Sequence, residues 1–155
     1  MARQTSIAAS AIIPAAPERA WEIACDTSRY PEWVENTLRM IRTDGPTRAG
    51  TTMEELTRIA GPWKSVTRWH VTEFDPPHRQ VQQGEGVSTA KGMAVIIELS
   101  PAGQDTNFTL TVRYSPRFGP IGALIDRAVR GSIIRSQQKS VRAFAALMAR
   151  ENPTS

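Results

Sequence analysis

The chain is poor in the residues that most small catalytic and metal-binding domains rely on. Its one cysteine, Cys25, among 155 residues excludes an intrachain disulfide and a cysteine-based metal site. Only two histidines occur, His70 and His78, and neither has a serine, a cysteine or a carboxylate cluster at a recognisable spacing. A hydrolytic triad is therefore unsupported, and a catalytic zinc lacks ligands. No stretch approaches the roughly 18 uninterrupted apolar residues of a membrane-spanning helix. A glycine-rich phosphate loop is also missing, because Gly84-Glu85-Gly86 reads as a turn. At the N-terminus Arg3, Gln4, Thr5 and Ser6 precede only the short apolar patch Ile7 to Ile13. No signal peptide is expected there, and the expected location is cytoplasmic.

What is present is ordinary for a globular domain: 40% hydrophobic and 22% charged residues, in a length that fits one domain with a real core. The net charge of +4 invites a nucleic-acid reading, but the 19 lysines and arginines are scattered. Four of the six basic residues in the last helical stretch, Arg127, Arg135, Lys139 and Arg142, share one face, as a solvated helix surface would. Basic residues interleaved with aromatics, the pattern of a base-stacking platform, do not occur, so no nucleic-acid partner is expected. Cys25 follows the apolar group Ala20, Trp21, Ile23 and Ala24, which fits a buried thiol acting as a small hydrophobe.

Residues 5–13 read as a first strand ending at Pro14. Pro17 opens a short amphipathic helix over 17–24, where its missing N–H costs nothing. Asp26 and Thr27 then look like a cap before a second short helical turn, 29–35. Strand-like runs follow at 38–43, 50–59, 63–74, 79–83, 92–99 and 106–114, separated by Gly- and Pro-rich turns such as Asp75-Pro76-Pro77. Short connections without intervening helices argue for an antiparallel meander. The last run is the clearest, with Phe108, Leu110, Val112 and Tyr114 alternating with Asn107, Thr109, Thr111 and Arg113. From Ile121 to Arg150 the period becomes helical, with Ile125, Val129, Ile133, Ser136, Ser140, Phe144 and Leu147 on one stripe. Some 30 residues make a helix about 45 Å long, enough to cross the whole sheet. The expected organisation is one domain over 1–150 and a polar tail over 151–155.

This order of elements, one strand, two short helices, about six strands and a long helix, resembles the START-like superfamily, also called SRPBCC or polyketide cyclase/dehydrase-like. Four local segments carry the resemblance. Ile13-Pro14-Ala15-Ala16-Pro17-Glu18-Arg19-Ala20-Trp21 is similar to its strand-to-helix opening, and Arg29-Tyr30-Pro31-Glu32-Trp33 to its second-helix signature. Val71 to Arg79 resembles its central hairpin, and Phe118-Gly119-Pro120-Ile121-Gly122 the lead-in to its last helix. The resemblance implies an α+β helix-grip fold, in which a curved antiparallel sheet of about seven strands wraps around the C-terminal helix. It also implies a pocket between sheet and helix, with no cofactor.

Strand alternation on that fold turns Met53, Trp69, Val71, Met93, Val95, Phe108, Leu110 and Val112 inward, with Trp33 at the mouth. Val129, Ser132, Ile133, Ser136 and Ser140 complete the expected wall from the helix side. The bland reading of each is core. The three serines have an equally plain alternative in bonding back to their own helix. Hydroxyls on an apolar stripe would otherwise meet ligand oxygens. Glu55 shares parity with Met53 and is the one acid/base candidate; His70, out of phase with Trp69 and Val71, points the other way.

Three functional readings stay open from the sequence. The first is binding of a small hydrophobic molecule, aromatic polyketide-like or lipid-like, with or without cyclase/dehydratase chemistry. The second is a lipid or quinone carrier whose basic helix face meets a membrane surface. The third is a protein-interaction subunit with a filled core.

Overall fold

The structure is a computed structural model that describes residues 4–151 apart from 46, 61, 86–89 and 117–118. Strand β1 (Thr5–Ile13) leads through Pro14 into helix α1 (Pro17–Ala24), with Pro17 at its first turn as expected. A 3-10 turn, Thr27–Glu32, follows. Six strands come next: β2 (Thr37–Thr43), β3 (Thr52–Ala60), β4 (Trp63–Asp75), β5 (Arg79–Glu85), β6 (Ala90–Ala102) and β7 (Asp105–Pro116). Helix α2 (Gly119–Glu151) closes the chain. The strands form one antiparallel sheet in the order β1-β7-β6-β5-β4-β3-β2, so every neighbour after β1 is a hairpin partner. This is the helix-grip architecture expected from the sequence.

The second short helix differs from the sequence reading in place and kind. It begins at Thr27 rather than Arg29 and is 3-10 rather than α-helical. Asp26 sets its start by accepting from the Ser28 backbone N–H at 3.1 Å and the Ser28 hydroxyl at 2.6 Å. Pro31, inside the turn, has no N–H with which to continue a helical ladder. Strand β6 also runs past its expected end through Pro101. Its β5 partner stops at Arg79, opposite Glu98, so Pro101 faces no strand on that side and gives up no ladder bond there. Phe118, Gly86 and residues 152–155, part of the lead-in, the glycine turn and the polar tail, lie outside the described residues.

The main core sits between the inner face of the sheet and the second half of α2. Phe108 and Phe144 stack with ring centroids 4.6 Å apart, and Trp33 packs 4.9 Å from Phe144 and 5.8 Å from Phe108. Ile13, Ile97, Leu147 and Met148 close around them. Cys25 belongs to this cluster, and burial pushes its thiol well above the ordinary range, keeping it protonated. On the other side of the sheet Val81, Ala94 and Ile96 form a small apolar patch of their own. The outer face is thus apolar and buried at Val81, Ala94 and Ile96, while Gln83 and Ser100 on the same strands stay exposed.

Candidate functional site

The concave face does not fill completely. Between the sheet, the 3-10 turn and α2 lies a cavity of about 120 Å³. Trp69, Met93, Val95, Leu110 and Val112 line it from the sheet, Trp33 and Tyr30 from the 3-10 turn and its cap, and Ser136 and Ser140 from α2. Met53, Val71 and Phe108, also read as inward, face the same way but lie beneath the cavity wall in close-packed core. Trp33 is not at the mouth: it is only 2% exposed, because Phe108 and Phe144 close around it. Ile133 packs instead against Ile7, Val112 and Tyr114, while Val129 and Ser132 lie on the exposed part of α2, outside the lining.

Glu55 is the polar centre of the wall. It is 6% exposed, and three donors reach it: Trp69 Nε1–H at 2.9 Å and the Thr57 hydroxyl at 3.1 Å on Oε1, and the Thr37 hydroxyl at 3.0 Å on Oε2. Burial raises its carboxyl above the ordinary carboxylate range, and the three hydrogen bonds only partly offset that rise. The position of Trp69 depends on Gly84, its pairing partner on β5. A Cβ there would come within 2.5 Å of the indole ring. The glycine leaves the space in which the indole lies and from which it reaches Glu55.

A second polar group sits deeper. The Tyr30 hydroxyl accepts from Gln82 Nε2 at 2.5 Å and from Gln80 Nε2 at 3.4 Å, and burial holds its own proton firmly. On the α2 side Ser140 Oγ accepts from the Glu35 backbone N–H at 2.9 Å. Gln137 Nε2 donates to the Leu110 carbonyl at 3.2 Å, tying helix to sheet beside the cavity. One buried donor in the lining has no partner among the described residues, the Trp33 indole N–H. Such a group costs on the order of 1–3 kcal/mol until an acceptor reaches it.

Reasoning from sequence missed Tyr30, Gln80, Gln82, Thr37, Thr57 and Gln137 as members of this site. Tyr30 was visible within Arg29-Tyr30-Pro31-Glu32-Trp33, and the equal parity of Gln80 and Gln82 was the one signal for the glutamine pair. A wider depression of about 410 Å³ lies on the opposite, convex face around His78, Arg79, Glu98 and Asn107. Its guanidinium is already paired with Glu73 and Glu98, whereas the cavity against α2 holds the buried Glu55 carboxyl and the unpartnered Trp33 N–H.

Comparison with known proteins bears on this geometry. Two proteins of Mycobacterium tuberculosis resemble the chain over most of both lengths. One, named a toxin, is 30% identical over 138 residues, covering 86% of this chain and 93% of that protein. The other, named only as uncharacterized, is 29% identical over 145 residues, covering 92% and 97%. Among solved structures, an aromatase/cyclase from a Streptomyces species superposes with a TM-score of 0.81 at 12% identity, covering 96% of each chain. That likeness shows a shared fold. The sequence model of one family matches residues 4–149, nearly the whole chain, and by that match the chain belongs to the polyketide cyclase/dehydrase and lipid transport family.

Proposed function

We propose that the chain binds a small hydrophobic molecule carrying a carbonyl or hydroxyl oxygen in the cavity between the sheet and α2. The observation that carries this reading is Glu55, a buried carboxyl in the cavity wall, held in place by three donors. A fold does not keep such a group for stability, since its desolvation opposes folding. The unpaired Trp33 N–H supports the same reading, because a ligand oxygen would satisfy it. Apolar contact with Met93, Val95, Leu110 and Val112 would supply affinity at roughly 25 cal/mol per Å² buried.

The cavity of about 120 Å³ is smaller than the roughly 300–1,000 Å³ pockets that enclose drug-sized ligands. A single ring or short chain fits as it stands, whereas a multi-ring polyketide requires the wall to move. Met93, unbranched and half-buried, is the side chain best suited to yield. A second reading, proton transfer of the cyclase/dehydratase kind, is favoured by the place of Glu55 in the cavity lining, where burial raises its proton affinity.

The test is native mass spectrometry of the purified protein, followed by denaturing extraction, on wild type and Glu55→Gln. A co-purifying apolar molecule that Glu55→Gln holds less well supports binding oriented by the carboxyl. If Glu55→Gln retains the ligand but accumulates an unconverted form, proton transfer is the function. An empty protein, with no thermal shift across polyketide, lipid and quinone panels, overturns both. It would favour the reading as a protein-interaction subunit.

A further inference from the structure

The second half of α2 is built into the core, but its first half is not. Between Gly119 and Arg135 only Gly122 and Asp126 are buried. Ile121 and Leu124 are 68% and 70% exposed, and Ile125 and Val129 are each 39% exposed. These are consecutive members of one helical side at three- and four-residue steps, and with Ser132 they continue the stripe that lines the cavity at Ser136 and Ser140. The cavity wall thus runs outward into solvent as an apolar ridge.

Strand register places a second exposed apolar group at the same end of the molecule. β7 ends at Pro116, just before α2, opposite the start of β6 at Ala90, and the β3–β4 turn, Ala60 opposite Trp63, lies at that end of the sheet. Trp63, at the start of β4, is 73% exposed. The charges around these groups are mostly of one sign. Residues 119–135 hold three arginines, Arg127, Arg130 and Arg135, against the single Asp126, a net of +2, and Asp126 is already bonded by Tyr114 and Arg130. Arg58 and Lys64 flank the turn and are exposed.

We propose that the first half of α2, together with Trp63 at the start of β4, is a docking surface for an anionic lipid bilayer. Exposed isoleucine, leucine and tryptophan side chains with interspersed arginines are the composition of an interfacial element, in which apolar groups enter the headgroup boundary and cations meet lipid phosphates. A second copy of the chain fits less well. Packing two such surfaces together would confront two sets of unneutralised arginines, whereas an anionic bilayer complements them. The surface would also set the ridge leading to the cavity against the source of an apolar ligand.

The test is flotation of the full chain with two vesicle preparations, phosphatidylcholine alone and an equal mixture with phosphatidylglycerol. Wild type floats with the anionic vesicles and not with the neutral ones, and added salt weakens the association. Leu124→Glu, and separately the pair Arg127→Glu with Arg135→Glu, lower the bound fraction by about tenfold or more. Both retain the wild-type melting temperature, since these side chains are exposed. Absence of flotation with anionic vesicles overturns the proposal, as does undiminished flotation of Leu124→Glu. A concentration-dependent dimer that Leu124→Glu abolishes, seen by sedimentation without flotation, reassigns the face to a second copy. The readout is vesicle association rather than cavity occupancy, so failure here is separate from failure of the ligand-binding reading.

Discussion

Helix α2 contains two different helices joined end to end. From Gln137 to Met148 it buries Gln137, Ser140, Val141, Phe144, Leu147 and Met148, whereas from Gly119 to Arg135 it buries Gly122 and Asp126 alone. The two halves do not differ much in apolar content, since the first holds Ile121, Leu124, Ile125, Val129, Ile133 and Ile134. They differ in what the sheet offers opposite. The second half meets Phe108, Ile13 and the Trp33 ring. The first half is held by a polar clasp, with the Tyr114 hydroxyl and the Arg130 guanidinium on Asp126. Burial opposes ionisation of that aspartate, but the hydrogen bonds outweigh it and hold its carboxyl below the usual carboxylate range. Hydrophobicity along a helix therefore says which residues can be buried, and the partner surface decides which are.

The widest gap between the halves should appear on truncation. Phe144→Ala removes a fully buried ring from the aromatic stack and should cost about 3–5 kcal/mol in denaturant unfolding. Leu124→Ala, of comparable apolar character but 70% exposed, should stay within about 0.5 kcal/mol. Comparable losses at both sites would show that the first half is packed in solution and would break the comparison.

Much of this division was legible only in part. The stripe Ile125-Val129-Ile133-Ser136-Ser140-Phe144 follows from helical spacing, and the strands follow from turn chemistry and alternation such as Phe108-Leu110-Val112-Tyr114. Parity with Met53 also places Glu55 on the inner face. Spacing does not reveal where along a helix the opposing sheet stops, which is why Val129 and Ser132 looked like cavity wall. Gln80 and Gln82 were hidden for a different reason. Gln80, Val81 and Gln82 are all buried, the outward Val81 because Ala94 and Ile96 pack beside it. A polar residue at an inward position of such a strand is then indistinguishable from one at an outward position.

Two substitutions probe the cavity at the boundary between the halves. Gly84→Ala forces a methyl group against the Trp69 indole and should destabilise by about 1–3 kcal/mol. It should also loosen the indole hydrogen bond to Glu55, readable as a change in tryptophan fluorescence. Glu55→Gln acts through pH. The native carboxyl has a raised proton affinity relative to an unfolded value near 4.5, so the folded state keeps a proton that the unfolded state has lost. Wild-type stability should therefore fall as pH rises from about 4.5 through the native value, while Glu55→Gln, having no proton to lose there, stays flat. Parallel melting-temperature profiles for the two proteins would show that the carboxyl is solvated and would remove it as the centre of the site.

The finest version of the comparison lies within the serines of a single stripe. Ser140, 2% exposed, accepts the Glu35 backbone N–H and so ties the segment after the 3-10 turn to the buried half of α2. Ser140→Ala leaves that N–H without its acceptor and should cost about 1 kcal/mol. Ser132, two turns earlier on the same side, is exposed, and Ser132→Ala should change stability by less than about 0.5 kcal/mol. Ser136, half-buried in the cavity lining between them, should fall near Ser132 in stability yet be the only one of these two to alter ligand retention. If Ser132→Ala weakened ligand retention as much as Ser136→Ala, the binding site would extend along the exposed ridge, and the first half of α2 would be part of the cavity rather than its approach.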